Sequence, residues 1–147
     1  MHCWLDAALA LSVGYVNERQ QFGRPLGKFQ AVQQNLARLA GETAAASAVA
    51  ASAADTIHHA ETFDDAVFLE VAAAKIRCGE AAAEGAAIAH QAHGAMGYTD
   101  EHALHRFTLR LFQWRDDFGS ESEWAAGLGA MVAANGADRL WPMVASR

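Results

Sequence analysis

Two prolines in 147 residues leave long stretches of this chain free of the strongest helix breaker, and alanine occupies 35 of the positions between and around them. Alanine loses no side-chain entropy in a helix, so runs such as Ala44-Ala45-Ala46 and Ala81-Ala82-Ala83 favour that state. No segment alternates apolar and polar residues in the sustained manner of a half-buried strand. The expected fold is all-α: one domain over residues 1–147, built as an up-and-down helical bundle of three long and two shorter helices.

Breakers and caps divide the bundle. A first helix runs from near the start to about Gln21, with Leu5, Leu9, Val13 and Val16 on one face, and ends at the Gly/Pro turn Gly23-Arg24-Pro25-Leu26-Gly27. The second carries a seam in steps of three and four: Phe29, Val32, Leu36, Leu39, Thr43, Ala46, Ala50, Ala53 and Ile57. It fades at His58-His59-Ala60-Glu61. Thr62-Phe63-Asp64-Asp65 predicts a capped start for the third, whose buried stripe is Phe68, Val71, Ala74, Cys78, Ala82, Gly85 and Ala89. Gly94 to Asp100 interrupts the pattern, a fourth helix follows from Glu101 to about Arg115, and Ser120-Glu121-Ser122-Glu123 is a capping box opening a fifth that weakens at Asn135-Gly136. The chain starts inside a helix, which reads as the tail end of a larger architecture.

Charge narrows the function. With 11 Lys+Arg against 17 Asp+Glu the net charge is −6, too acidic for a protein that neutralises nucleic-acid phosphates. A hydrophobic content of 52% excludes a disordered tail. No apolar run approaches the roughly 18 residues of a membrane span, and no Lys or Arg precedes the first apolar stretch, so neither a membrane segment nor a signal peptide is expected. Cys3 and Cys78 are too few for a disulfide framework, neither has a His–acid pair arranged for nucleophilic work, and both read as structural. A soluble, cytoplasmic protein is the expectation.

Two loop segments carry the functional signal. In Arg19-Gln20-Gln21-Phe22-Gly23-Arg24-Pro25-Leu26-Gly27-Lys28-Phe29-Gln30, an arginine at a helix end beside an aromatic and a glycine turn can pair with a phosphate while the ring packs on a flat heterocycle. The same residues also read as a plain helix end, with Arg19 meeting the helix dipole. In Gln91-Ala92-His93-Gly94-Ala95-Met96-Gly97-Tyr98, small residues open the backbone to a ligand or a second subunit and Gln91 supplies an amide, while a glycine C-cap explains the glycines equally. In this order on a helical chain, Tyr15-x-x-x-Arg19-x-Gln21-Phe22-Gly23-x-Pro25-Leu26-x-x-Phe29-Gln30 and Gln91-x-x-Gly94-x-x-Gly97-Tyr98 resemble the C-terminal helical domain of the acyl-CoA dehydrogenase family across nearly the whole chain. Ala95 stands where the family usually has a second glycine.

The resemblance implies FAD as cofactor. Arg19 and Phe22 match residues at the pyrophosphate and adenine end of a flavin held mainly by another subunit, Gln30 a further flavin contact, and Gln91, Gly94 and Ala95 a segment along its adenosine diphosphate portion. Phe118-Gly119-Ser120 matches the family's Glu-Gly-Thr, with Ser120 in place of a flavin-contacting threonine. The family desaturates acyl-CoA thioesters, a carboxylate removing the α proton as hydride passes to flavin. Counting without gaps from Gly97-Tyr98, the position of that glutamate holds Phe118, and a phenyl ring accepts no proton. Asp116, Asp117 and Glu121 stand near, Asp117 displaced by one residue. In a variant of the family the base lies on the first helix, at a position that would precede Met1. The family's N-terminal helical and central β domains have no counterpart in these residues. The expectation is therefore a FAD-binding and oligomerisation domain, not catalytic alone, in a homo- or hetero-oligomer with acyl-CoA dehydrogenase-like subunits that act on acyl-CoA, or else a non-catalytic subunit.

Two other classes compete. His90/His93 and His102/His105 are i, i+3 pairs that share helix faces as metal ligands do, but di-iron bundles need Glu-x-x-His motifs and the sequence has none, only Asp55-x-x-His58. No metal is expected. An interaction module would use Trp114, Trp124 and Trp141 as anchors, although the same residues can seal bundle ends.

Overall fold

The computed structural model describes residues 1–145; Ser146 and Arg147, the end of the expected 1–147 domain, lie outside the described residues. Helix α1 spans His2–Glu18, α2 Gln30–His59, α3 Asp65–His93, α4 Leu104–Asp116, α5 Glu121–Asn135 and α6 Ala137–Ala145. Two-residue strands β1 (Gln20–Gln21) and β2 (Arg24–Pro25) form a small antiparallel hairpin between α1 and α2, and 3-10 turns cover Leu26–Lys28 and Gly94–Tyr98. The fold is the expected all-α bundle.

Helix α3 is its axis: α1, α2, α4 and α5 all pack on it. Its buried residues therefore do not form the single predicted stripe. Cys78, Ala82, Gly85 and Ala89 are buried as expected, but Phe68, Val71 and Ala74 are only half-buried. Val67, Ala72, Gly79, Ala81, Ala86 and Ile88 go inside because a central helix buries two faces. One core cluster joins Leu5, Ala46, Cys78, Ala81, Ala82 and Leu111; a second joins Ala8, Leu39, Ile88, Ala89 and Leu104. Small residues on α2 and α3 let their backbones approach, and the contact is edged by Arg38–Glu84 and by Arg77–Glu42 at 2.5 Å. On α2, Leu39, Thr43, Ala46 and Ala53 are buried as the seam predicts, whereas Ile57 is exposed beyond the end of the contact. On α1, Ala8 and Ser12 take the inward places expected for Leu9 and Val13.

Boundaries moved for local reasons. Helix α1 stops at Glu18, short of Gln21, because Gln20 and Gln21 pair with Pro25 and Arg24. Helix α4 starts at Leu104, after Glu101, because residues 99–103 form turns: Thr99 Oγ1 donates to Met96 O (2.9 Å) and the Leu104 N–H to His102 Nδ1 (3.2 Å). Asp64 caps α3 by accepting from the N–H groups of Ala66 (2.9 Å) and Val67 (3.0 Å). The predicted capping box at α5 is formed in full, with Ser120 and Glu123 bonded reciprocally. The sequence did not predict α6, which contains Pro142. Ser120→Ala is expected to cost about 1 kcal/mol, measured as a shift in the urea midpoint; no shift would mean the box contributes nothing.

Trp114 and Trp124 turn inward rather than standing free. Trp114 packs edge-on against Trp4 (5.6 Å between centroids); Trp124 stacks on Phe68 (5.8 Å) and its Nε1–H donates to Phe118 O at 2.9 Å. Trp141 remains 75% exposed on α6. Among the described residues, no helix is long and apolar enough to cross a membrane.

Candidate functional site

The turn from α1 to α2 is built to push an aromatic ring outward. The Leu26 N–H donates to Arg19 O (2.9 Å), Gln21 pairs with Arg24, and Phe22-Gly23 forms the two-residue loop with φ of 52° and 78°. Positive φ at both central positions is the geometry whose twist matches a hairpin; glycine takes it freely, but a bulky aromatic does so at a steric cost. Phe22 is 90% exposed at the tip, and Arg24 lies over the Phe29 ring, 4.1 Å from its centroid. A strained, exposed aromatic is the kind of outlier from which function is inferred. Arg19 stands at the C-terminal end of α1, exposed, with no carboxylate partner among the described residues. Gln30 opens α2 one residue beyond Phe29 and is also exposed.

The C-terminal end of α3 packs between the two helices that flank this turn. Tyr15 stacks on His93 (4.5 Å) and Asn35 Nδ2 donates to Gln91 Oε1 at 3.4 Å, tying α1, α2 and α3 together at one end. Gly94 takes φ 61° at the helix end, and its face is open: a Cβ there would meet nothing within 4 Å. Gln91 and Ala95 are exposed beside it. Six of the seven predicted site residues, Arg19, Phe22, Gln30, Gln91, Gly94 and Ala95, thus gather at one end of the bundle.

Ser120 does not join them. It caps α5 at the opposite end, where Lys75 of α3 binds the carbonyls of Trp114 (3.3 Å), Arg115 (2.8 Å) and Asp117 (2.6 Å). From Lys75 to Gln91 is roughly 24 Å along α3 at the helical rise. The two ends are therefore too far apart for the same atoms of one ligand.

The Phe118 loop is ordered by charge. Arg115 Nε holds Glu121 Oε1 at 2.6 Å. Burial raises the Glu121 carboxyl, but the Arg115 hydrogen bond and charge, helped by its own backbone N–H and by Lys75, outweigh this and hold it below the usual carboxylate range. The Glu121 stem lies over Gly79, where a Cβ would approach its Cδ to 2.5 Å and its Cγ to 2.6 Å. Glu121 is thus an ion-pair member, occupied and ionised. Phe118 is 93% exposed at φ 63°, and its carbonyl accepts from the Trp124 indole; Asp116 and Asp117 are exposed beside it. Sequence reasoning missed both Lys75 and Gly79, since nothing in their neighbours marks them.

The histidine pairs also go elsewhere than the ligand pattern suggests. His90 bonds Thr108 and stacks on Tyr98, His93 lies between Tyr15 and His102, and His105 reaches Asp100 at 3.2 Å. Asp55 pairs with His59, not with His58. Among the described residues, no three of His, Cys, Asp and Glu gather as a metal site. Cys78 is buried, its thiol held up by that burial and directed at Ala46 O (3.5 Å); Cys3 is exposed beside His2 Nε2 at 3.2 Å.

The profile described as "Acyl-CoA dehydrogenase, C-terminal domain" matches residues 2–113. The chain belongs to the acyl-CoA dehydrogenase family. Among relatives, a glutaryl-CoA dehydrogenase of Desulfococcus multivorans is 39% identical over 102 residues, 69% of this chain and 25% of that protein. Acyl-CoA dehydrogenase IpdE2 of Mycobacterium tuberculosis is 39% identical over 105 residues, 71% of this chain and 30% of that one. Among solved structures, the ChsE4-ChsE5 complex from Mycobacterium tuberculosis superposes with a TM-score of 0.82 at 27% identity, over 90% of this chain and 35% of that one. The chain spans about a quarter to a third of the length of these family members. Phe118 and Ser120 lie beyond the residues that the family profile matches.

Proposed function

We propose that this chain forms one wall of FAD sites in an acyl-CoA dehydrogenase-type oligomer and contributes no catalytic base. The observation that carries the reading is Phe22, held at positive φ on a hairpin tip with its ring 90% exposed, on the same turn as Arg19, which has no carboxylate partner among the described residues. The donor set fits the cofactor. Arg19 suits a diphosphate, the Phe22 ring suits an adenine, and Gln91 with the open backbone at Gly94 suits the adenosine diphosphate flank, with Gln30 and Ala95 completing the surface. Ser120, roughly 24 Å away along α3, serves a different part of the assembly, either a second flavin or another portion of the first. FAD, when bound, supplies the hydride acceptor for α,β-desaturation of an acyl-CoA thioester. In this reading the proton acceptor comes from the partner, because Phe118 offers none, Glu121 is committed to Arg115, and Asp117 is displaced by one residue from the expected position.

The partner in this reading is a second acyl-CoA dehydrogenase-like subunit that brings the remaining flavin pocket and the carboxylate, an arrangement supported by the likeness to one chain of a two-component complex. The test is a visible absorption spectrum of the purified protein, alone and with such a partner, taken in line with light scattering. A flavin band on an oligomer is expected. Arg19→Ala is expected to weaken flavin retention by about tenfold, the effect of losing a charged hydrogen bond of about 1.5 kcal/mol. Unchanged FAD affinity in that variant would overturn the phosphate role.

A further inference from the structure

We propose that His90 and His93 form an acid-sensitive latch that holds residues 94–103 against the bundle and releases them as the pH falls. The two rings are 8% and 3% exposed, and each has a buried nitrogen with no hydrogen-bond partner: His90 Nδ1 and His93 Nε2. The bond to a backbone carbonyl fixes the tautomer of His93. The His93 Nδ1–H donates to Ala89 O (2.8 Å), which leaves Nε2 as a bare lone pair. His90 Nε2 shares a hydrogen bond with Thr108 Oγ1 (2.8 Å); with the Thr108 hydroxyl turned to the helix carbonyls of His105 (3.1 Å) or Leu104 (3.4 Å), the Nε2–H is the donor and Nδ1 is bare.

A proton arriving at either bare nitrogen creates an N–H that nothing accepts and a cation in a packed interior. Among the described residues neither ring has a carboxylate partner; Glu18 of α1 lines the surface cleft that Tyr15 and His102 also line, and α2 brings Asn35 to the neighbouring Gln91. From α1 comes Tyr15, stacked on His93; from residues 94–103 come Tyr98, stacked on His90 at 4.1 Å, and His102, 4.5 Å from the His93 ring; from α4 come His105 and Thr108. The charges that act on the two rings are further imidazoles, His105 on His90, and His102 and His90 on His93. The carboxylate of Asp100 is engaged with His105. Burial first, then these neighbours, holds both histidines below their ordinary value; the Ala89 bond opposes this at His93 without reversing it.

The segment that must yield is the one covering the rings. At Gly97, a Cβ would sit 3.0 Å from His93 Cβ and 3.1 Å from His90 Nδ1, and the run leaves α3 at Gly94 in a left-handed conformation. Lifting residues 94–103 hydrates both imidazoles while the α2–α3 core is untouched. Because the closed form binds fewer protons than the open one, closure strengthens as pH rises through the window between the lowered values and about 6.5, and is lost on acidification through it. Since this segment carries Gly94 and Ala95, acid release of cofactor would follow, a consequence that rests on the function proposed above; the latch itself does not.

The experiment is amide hydrogen exchange on the full chain without flavin, at pH 7.5 and 5.0, corrected for intrinsic rates. Protection across residues 94–103 is expected to fall by about tenfold or more at pH 5.0, one pKa unit being one decade, while α2 amides around Leu39 and Ala46 keep theirs. The His90→Gln/His93→Gln double variant is expected to lose the pH dependence. Should that variant fold poorly, the ring-carbon NMR shifts of His90 and His93 in the unaltered chain are expected to follow the same curve as opening. Equal protection at both pH values, or parallel loss across α2, would overturn the latch and leave the flavin reading standing.

Discussion

Leu5→Ala is expected to lower stability by about 3 kcal/mol, and Gly85→Ala, harmful by itself, is expected to become stabilising in that background. Leu5 is fully buried where α1 crosses α3, so its truncation loses transfer free energy and leaves a cavity. That cavity faces Gly85. A Cβ on Gly85 would meet Leu5 Cδ2 at 2.6 Å and Leu39 Cδ1 at 3.1 Å, both on side chains locked in the core. Alanine at position 85 gains about 1 kcal/mol in helix propensity but overpacks the crossing by about 2 kcal/mol, a net loss of about 1 kcal/mol. With Leu5 shortened the 2.6 Å clash is gone, and Leu39 Cδ1, at 3.1 Å, needs to give only a few tenths of an ångström into the space that Leu5 leaves, so the gain outweighs what remains. The four proteins of the cycle, compared by urea unfolding, are expected to show a coupling of about 2 kcal/mol. Additive effects would mean that the crossing relaxes freely and that Gly85 does not set the α1–α3 distance.

Lys75→Met is expected to cost about 2 kcal/mol and to loosen the Phe118 loop. Methionine keeps most of the stem but removes the ammonium that serves the carbonyls of Trp114, Arg115 and Asp117. These acceptors lie at the C-terminal end of α4, where intrahelical donors have run out and the helix dipole favours a cation. Hydrogen bonds to a charged group are each worth about 1.5–3 kcal/mol, and because Lys75 is half-buried, water recovers part of the loss. Trp124 reports on the result, since its indole is bonded to Phe118 O. A red-shifted tryptophan emission is expected with the lower urea midpoint. A change within 0.5 kcal/mol would show that water replaces the ammonium fully.

Much of the local structure was legible. Ser120 with Glu123, and Asp64 ahead of an apolar run, are caps because of chemistry within three or four residues, and both formed. The Gly/Pro turn marked the end of α1, yet the strand pairing of Gln20 and Gln21 with Pro25 and Arg24 did not show, since two residues carry no periodicity. Helix α6 was hidden by Pro142, but in a nine-residue exposed helix the one donor that proline removes leaves a carbonyl that water can serve. The α3 stripe was read too narrowly because a helix packed by four neighbours has no single inward face.

The sequence by itself determined the helical state, the caps and the family. Each of these depends on a residue and its near neighbours. Tertiary structure alone decided that Ser120 stands far from Arg19, that Lys75 closes α4, that Gly79 makes room for Glu121, and that His90 and His93 each bury an unpartnered nitrogen. Spacing along the chain gives a side chain's angle on its own helix, but not which helix lies opposite or how closely. Those are set by the packing of all the helices at once, through cores such as Leu5, Leu39 and Gly85.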